Sequence, residues 1–373
     1  MSSTFIRAAR RSSLAQVRHV SPIRPEAAPD AVAKVYAQVE RDFGMLAPPV
    51  ALHSPSPGVL AACWLMLRET LIATGQADRA VKEAAGTAVS AGNTCPYCVE
   101  VHSATLDRLR GRAFDPLGRA ATYRRAADGL VESPADPRIR EIAAWAQACG
   151  RREEAGHHDA PFPADQAPEF IGIVVTFHYL NRMVNVFLRE SPFPSGLPIT
   201  AQSGLMRLLT RILRPTTSKI QPPGLSLNLL PAAPLPDDLS WASAHPDIAG
   251  AFARATAAIE AAGARSLPGA VRDLVTTRLA EWSGEHPGPS RAWVNEAVSG
   301  LAAADRPAGR LALLTTLASY QIDPSVIDEF RRDHPDDESL IELTAWASLA
   351  AARRVGRWTV DSLPTQRAFR TYD

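Results

Sequence analysis

The sequence predicts an all-α protein made of two related helical domains, and three observations lead to this prediction. Apolar residues recur at the three-to-four-residue spacing of helices in segments spread along the 373 residues. Runs in which apolar and polar residues alternate, the pattern of half-buried strands, are absent. Proline and glycine separate the helical segments, and the order of segments in the first half recurs in outline in the second.

The first helix is predicted over residues 30–43. Asp30 suits its start, because a carboxylate there can accept a hydrogen bond from a free backbone amide. Gly44 is expected to end it, since glycine readily adopts the left-handed conformation that follows a helix. One face of this helix is apolar and carries Val32, Val35, Tyr36, Val39 and Phe43.

Three further helices are predicted in the first half. Residues 58–72 are apolar nearly all round, which predicts a buried helix that packs over the segment 81–106. Residues 136–149 follow Asp136 as a second capping residue, and residues 169–189 form another strongly apolar helix. Four polar residues of that last helix are expected to connect helices rather than to do chemistry: His178, Asn181, Arg182 and Asn185.

The segment 81–106 contains two of the chain's four cysteines beside a histidine and a glutamate. Gly92 and Asn93 interrupt an Ala-rich helical pattern, so a turn is expected there. Pro96 fits the first position of a new helix, where its missing N–H is not needed. Cys95 is then the N-cap of that helix.

Cys98 and His102 lie one helical turn apart on one face of this new helix. Glu83 lies about 14 Å before the turn and His102 about 10 Å after it, so an antiparallel hairpin places them at similar heights. A proton relay from Cys98 through His102 to Glu83 is therefore possible. The helix N-terminus and a basic His102 favour a thiolate at Cys98, and a nearby Cys95 could trap the oxidised sulfur as a disulfide.

The spacing of these four residues resembles the signature of the AhpD-like alkylhydroperoxidases, which belong with the carboxymuconolactone decarboxylase superfamily. Eleven residues separate Glu83 from Cys95, two separate Cys95 from Cys98, and three separate Cys98 from His102. The resemblance implies that Cys98 attacks a hydroperoxide, that Cys95 resolves the oxidised sulfur, and that His102 and Glu83 relay the proton. The chain departs from the family in carrying Pro96 and Tyr97 between the cysteines, where the founding members have serine and histidine.

The resemblance also implies the partners. A hydroperoxide is the substrate, a dithiol or protein reductant of unknown identity reopens the disulfide, and homo-oligomers form through helical faces. No cofactor and no metal ion are expected.

Four parts of the chain are predicted. Residues 1–28 form a flexible tail, and residues 29–193 form an AhpD-like catalytic domain. Residues 194–236 form a proline-rich linker that encloses a short basic amphipathic stretch, 205–214. Residues 237–373 form a degenerate AhpD-like helical domain.

The second domain has lost the reactive loop of the first. Arg272 and Asp273 take the places of Lys82 and Glu83, and no cysteine follows them. His286 lies near the position of the lost loop but has no thiol to activate. This domain is therefore expected to pack against the first and to stand in for a second subunit.

Composition limits the remaining possibilities. A net charge of +1 gives no general attraction to nucleic acid, and no run of about 18 apolar residues predicts a membrane span. Cys63 and Cys149 are expected to be buried small apolar residues. A C-x-x-C pair without a secretory signal indicates redox chemistry in a reducing compartment, so the cytoplasm is the expected location.

Three alternatives to a thiol-dependent peroxidase stay open at this stage. A lyase like the carboxymuconolactone decarboxylases would not need the paired cysteines that this chain has. A zinc site formed by Cys95, Cys98, His102 and Glu83 has suitable ligands, but the spacing differs from that of structural sites built from two separated pairs. An inactive, purely structural protein is the third.

Overall fold

Helices account for the regular secondary structure of the described residues. The structure is a computed structural model and describes residues 10–111, 136–192 and 219–363. In these ranges no β-strand is present, and β pairing is limited to an isolated antiparallel bridge between Val17 and Leu188. The predicted all-α class is therefore confirmed.

The helices of the first half follow the predicted order. They are α1 (Asp30–Phe43), α2 (Pro48–Ala51), α3 (Pro57–Leu67), α4 (Arg79–Gly92), α5 (Pro96–Leu109), α6 (Pro137–Ala148), α7 (Arg152–Ala155) and α8 (Ala167–Phe187). A π-helical turn, Arg68–Ile72, continues α3, and all residues from 59 to 72 are buried, as predicted.

The helices of the second half begin after a stretch of short turns. They are α9 (Pro246–Ser266), α10 (Gly269–Glu281), α11 (Ala292–Ala297), α12 (Arg306–Ala318), α13 (Pro324–Arg331) and α14 (Asp337–Asp361).

Two predicted helix ends are confirmed. The carboxylate of Asp136 accepts a hydrogen bond of 3.0 Å from the backbone N–H of Arg138 at the start of α6. Gly44 follows α1 with a φ of 98°, the left-handed conformation that favours glycine. The predicted apolar face of α1 needs one correction, because Asp42 is buried there while Phe43 is half-buried. Arg68 holds the buried Asp42 through an ion pair of 2.7 Å.

Helices that the predicted repeat makes equivalent pack against each other. Helix α3 lies against α9, and α8 lies against α14. Each of these four helices belongs to the predicted repeat. In a dimer with two-fold symmetry, helices near the axis pack against their own copies in the same way. The tandem duplication and its domain boundaries stay a prediction.

The prediction that residues 58–72 pack over the segment 81–106 holds for the π-helical turn at the end of that stretch, whereas α3 itself packs mainly against α9. Helix α8 packs against α4, and α3 reaches that helix through its π-helical turn. Because α3 is apolar on all sides, its sequence shows that it is buried but not which neighbour buries it.

One hydrophobic core runs through both halves. It includes Trp64 and Phe170 from the first half and Phe252 and Trp358 from the second. The segment 164–187, which contains α8, is long and apolar enough to cross a membrane, but 94% of its most apolar stretch is buried inside the protein. No other helix of the described residues is long and apolar enough to cross a membrane. In this structure the segment forms the central helix of the core.

Buried charged side chains of the first half bind residues 222–226 of the predicted linker. The Arg68 guanidinium donates to Glu69 at 2.6 Å and to the carbonyl of Pro222 at 2.9 Å. Glu69 in turn accepts hydrogen bonds from the backbone of Gly224 and the hydroxyl of Ser226. The predicted basic stretch, 205–214, lies outside the described residues.

Residues 10–28, which belong to the predicted flexible tail, pack on the helices instead. Ser13 and Val20 are buried, and Arg18 donates its backbone N–H to the carbonyl of Phe187 at 2.7 Å. Arg10 forms an ion pair of 2.6 Å with Glu40 on α1. The basic side chains that suggested a tail act here as contacts to the helical body.

Candidate functional site

Helices α4 and α5 form a hairpin whose turn is held by backbone hydrogen bonds. The N–H of Cys95 donates to the carbonyl of Ser90 at 3.0 Å, which brings the start of α5 back to the end of α4. Thr94 has a φ of 52°, a left-handed backbone conformation that residues other than glycine rarely adopt. Cys95 is the N-cap of α5 and Pro96 its first residue, as predicted.

The two cysteine thiols lie side by side at the N-terminus of α5. Both are free, Cys95 is fully buried, and Cys98 is 4% exposed. Burial raises the pKa of the Cys95 thiol well above its ordinary value, and the adjacent Cys98 raises it further, although Asn181 and the Cys98 amide act in the opposite direction.

Glu83 and His102 meet across the hairpin, as the helical rise predicted. The Nδ1 atom of His102 lies 2.7 Å from the Glu83 carboxylate, which is 1% exposed. Burial raises the pKa of Glu83, but the charge of Arg79 and the contacts with His102, including the hydrogen bonds from both residues, outweigh it, so the pKa is lowered overall. The carboxylate is therefore ionised at neutral pH and fixes the orientation of the imidazole ring.

Arg79 also binds the Glu83 carboxylate, although the predicted site did not include it. Its guanidinium donates to Glu83 at 2.8 Å from the preceding turn of α4. The four-residue spacing of Arg79 and Glu83 is a sequence signal that could have identified it. The ring of Phe177 on α8 packs edge-to-face with the ring of His102, and the two ring centroids lie 4.7 Å apart.

The structure does not join the histidine directly to the thiols. Within the described ranges, His102 makes no hydrogen bond to Cys95 or Cys98, although the three residues share the first turns of α5. The hairpin therefore holds two pairs, one of thiols and one of carboxylate and imidazole, one helical turn apart.

Three asparagines hold the turn of the hairpin, as connecting residues were expected to do. Asn93 donates to the side chain of Asn181 at 3.0 Å, and Asn181 donates to Ser90 at 3.0 Å. Asn185 donates to the carbonyl of Asn93 at 3.2 Å and to Ser319 of the second half at 3.0 Å. The sequence did not reveal that Asn181 also touches the Cys95 thiol, because that contact joins distant segments.

Tyr97 occupies a position where the family's founding members have histidine. It is 4% exposed, and its hydroxyl donates to Gln16 at 2.9 Å. Burial raises the pKa of this phenol, so it stays protonated. Tyr97 is therefore a contact between α5 and the N-terminal segment.

The isolated cysteines are buried, as expected, and so is His53. Cys63 and Cys149 are fully buried, and burial raises the pKa of Cys149 to about 12. His53 is fully buried, and its Nδ1 lies 3.2 Å from the carbonyl of Val50.

No metal site is indicated by the described residues, because no three or more histidine, cysteine, aspartate or glutamate side chains cluster as ligands. This holds for Cys95, Cys98 and His102 with Glu83, and for the exposed His157 and His158 with Asp159. In the second half Asp273, the predicted counterpart of Glu83, is exposed.

Comparison with known proteins agrees with this architecture. No protein-family model matches the sequence. The chain is 36% identical to the alkyl hydroperoxide reductase Rv2159c of Mycobacterium tuberculosis over 342 residues, which cover 92% of this chain and 94% of that protein. Similarity at this level spans both halves and the segment between them. The chain therefore belongs to the AhpD-like alkylhydroperoxidase family that its sequence resembles.

Proposed function

We propose that this protein is a thiol-dependent peroxidase that reduces hydroperoxides with Cys98 and Cys95. The observation that carries the proposal is the pair of adjacent free thiols at a helix N-terminus, beside a buried Glu83 that orients His102 at 2.7 Å. The name of the mycobacterial relative, an alkyl hydroperoxide reductase, supports the same chemistry.

Cys98 is the better candidate for the attacking sulfur. Cys95 is fully buried and its pKa is raised by burial, whereas Cys98 retains some exposure in the first turn of α5. The free backbone N–H groups of a helix N-terminus stabilise a thiolate there. Cys95 then has the role of resolving residue.

His102 is proposed to move the proton. With Nδ1–H donated to Glu83, its Nε2 is free to accept a proton from the Cys98 thiol. Because no direct hydrogen bond links the ring to the thiol in the described part of the chain, a bound hydroperoxide or water bridges them. Glu83 stabilises the imidazolium that forms.

The proposed reaction is a two-electron reduction. The Cys98 thiolate attacks one peroxide oxygen, the O–O bond breaks, and the leaving alkoxide takes the proton held by His102 to become an alcohol. Cys98 is then a sulfenic acid. The Cys95 sulfur attacks it, a disulfide forms, and the hydroxyl leaves as water. A dithiol or protein reductant restores both thiols by disulfide exchange.

The alternatives have less support. A decarboxylase-like lyase would leave the adjacent thiols without a use, and the zinc interpretation lacks a ligand cluster among the described residues. A purely structural role would not require a buried carboxylate to orient a partly exposed histidine.

Hydroperoxide consumption with dithiothreitol as reductant tests the proposal. Wild type is expected to consume cumene hydroperoxide catalytically, Cys98→Ser to lose the activity, and Cys63→Ala to retain it, since Cys63 is buried in α3. Consumption by Cys98→Ser at the wild-type rate, or by neither protein, would refute it.

A further inference from the structure

A buried arginine lies between the two halves, beside the cysteine hairpin. Arg182 of α8 is 5% exposed, and its Nε donates to the carbonyl of Thr316 at 2.9 Å. Its Nη1 donates to the carbonyl of His178 at 2.8 Å and lies 3.2 Å from the ring nitrogen of the same residue. The guanidinium carbon lies 5.7 Å above the ring of Trp282.

This guanidinium is only partly compensated. Of its five N–H groups, the two on Nη2 have no acceptor among the described residues, and no carboxylate of those residues pairs with Arg182. A buried cation without an anion is strongly disfavoured, so such sites normally hold a counter-charge. Burial lowers the pKa of Arg182 to about 10, which leaves it charged at neutral pH.

The surroundings add positive charge. Burial has the largest effect on His286 and lowers its pKa, and the positive charges of Arg151 and Arg182 lower it further. Arg354 donates to the carbonyls of Ala280 and Trp282 from the other side.

Two acidic side chains close in sequence to Arg151 and His286 have other partners. Glu154 pairs with Arg151 at 2.8 Å, and Glu285 accepts the backbone N–H of Ser283 at 3.1 Å. Neither offsets the charge of Arg182.

We propose that these residues form an oxyanion-binding site, in which Arg182 holds the carboxylate or phosphate group of a small molecule. The arginine site comprises Arg182, His178, Trp282 and His286. The free Nη2 supplies a fork to one oxygen or two, and the exposed His286 stands at the rim, where its protonated form donates from the ring nitrogen that does not bond to Gly92.

The arginine site adjoins the turn that carries the cysteines. His286 is hydrogen-bonded to the carbonyl of Gly92 at the end of α4. Asn181, which touches the Cys95 thiol, directly precedes Arg182 on α8. The second half therefore supplies part of a ligand site beside the hairpin, and this inference does not depend on the thiol chemistry.

Isothermal titration of the full chain with sodium octanoate and with inorganic phosphate tests the site. We expect saturable binding of at least one anion, weakened about tenfold or more by Arg182→Met. Arg254→Met is the matched control, since it removes one positive charge from a half-buried residue of α9 and should not change binding. Octanoate alone identifies a carboxylate ligand, phosphate alone a phosphorylated one, and both a general oxyanion site.

Histidine titration by NMR gives a test that needs no change at Arg182. A bound anion should raise the pKa of His286, because it offsets the charges of Arg151 and Arg182, and should leave the exposed His157 unchanged. His286→Gln assigns the signal. Absence of saturable binding by either anion, equal affinity in folded Arg182→Met, or an unchanged His286 pKa at saturation would each overturn the proposal.

Discussion

The Glu83 carboxylate is shared between a guanidinium and an imidazole inside the hairpin. Arg79 contacts one of its oxygens at 2.8 Å and His102 the other at 2.7 Å, and the group is 1% exposed. An exposed ion pair would contribute less than about 1 kcal/mol, but removing one partner of a buried pair leaves the others uncompensated. Glu83 can therefore control the proton affinity of His102.

We predict that Glu83→Gln and His102→Gln each slow alkylation of Cys98 by iodoacetamide at neutral pH. Both act through one proton path, so the double variant should be little slower than the slower single variant. Peptide mass spectrometry measures the rate, and exposed Glu153→Gln is the control. If the two single variants lost equal amounts of the alkylation rate and the double variant lost the sum of both, the helix terminus alone would activate Cys98.

His53 predicts a dependence of stability on pH. Burial lowers its pKa to about 4, whereas the unfolded imidazole titrates near 6.5. Between these values the unfolded state binds more protons, so the free energy of unfolding falls as the pH drops from about 6.5 to 4, by up to about 3 kcal/mol from this residue. Urea unfolding should show a weaker pH dependence in His53→Phe. An identical dependence in both proteins would contradict this.

At the residue scale the sequence predicted that Cys95 lies beside Cys98 and that Glu83 meets His102, because these residues are close in the chain. Cys95, Cys98 and His102 are fixed by one helix start, and Glu83 follows from helical rise across one turn. Arg182 and Asn181 were expected only to connect helices. Their remaining contacts, with Trp282 and with the Cys95 thiol, join distant segments, which helical periodicity cannot show.

At the scale of elements, Gly86 sets the distance between α4 and α8. A Cβ atom there would lie 2.5 Å from the ring of Phe177, so either that ring or the two helices would have to shift. Phe177 also supports the ring of His102. The close approach therefore links helix packing to the candidate site.

We predict that Gly86→Ala lowers the free energy of unfolding by about 1–3 kcal/mol through overpacking. Gly58→Ala is the matched control, because nothing lies within 4 Å of a Cβ there, and alanine favours the helix by up to about 1 kcal/mol. Urea unfolding compares the two. Equal stabilisation in both variants would show that α4 and α8 are not closely packed.

Element boundaries followed from local signals, whereas their partners did not. Pro96, Gly44 and Asp136 mark helix ends through their own backbone chemistry. The neighbours of α3 depend on how two distant halves meet, and its uniformly apolar surface gives no direction.

At the scale of the whole molecule, one core joins both halves, and α9 and α14 cover faces of α3 and α8. We predict that a chain ending at residue 236 exposes these apolar faces and is aggregated or melts at a lower temperature. Circular dichroism and light scattering measure this. Co-expression with residues 237–373 should restore solubility, and a soluble monomer with the full-length melting temperature would contradict the prediction.

Mapping of the oxidised cysteines tests the central claim most directly. After one equivalent of hydroperoxide, peptide mass spectrometry should find wild type with a Cys95–Cys98 disulfide and Cys95→Ser with one added oxygen on Cys98. Cys63 and Cys149 should stay reduced, since both are fully buried. Oxygen added to Cys95 in Cys98→Ser, with Cys98 unmodified in Cys95→Ser, would reverse the roles, and unmodified thiols in wild type would contradict the account.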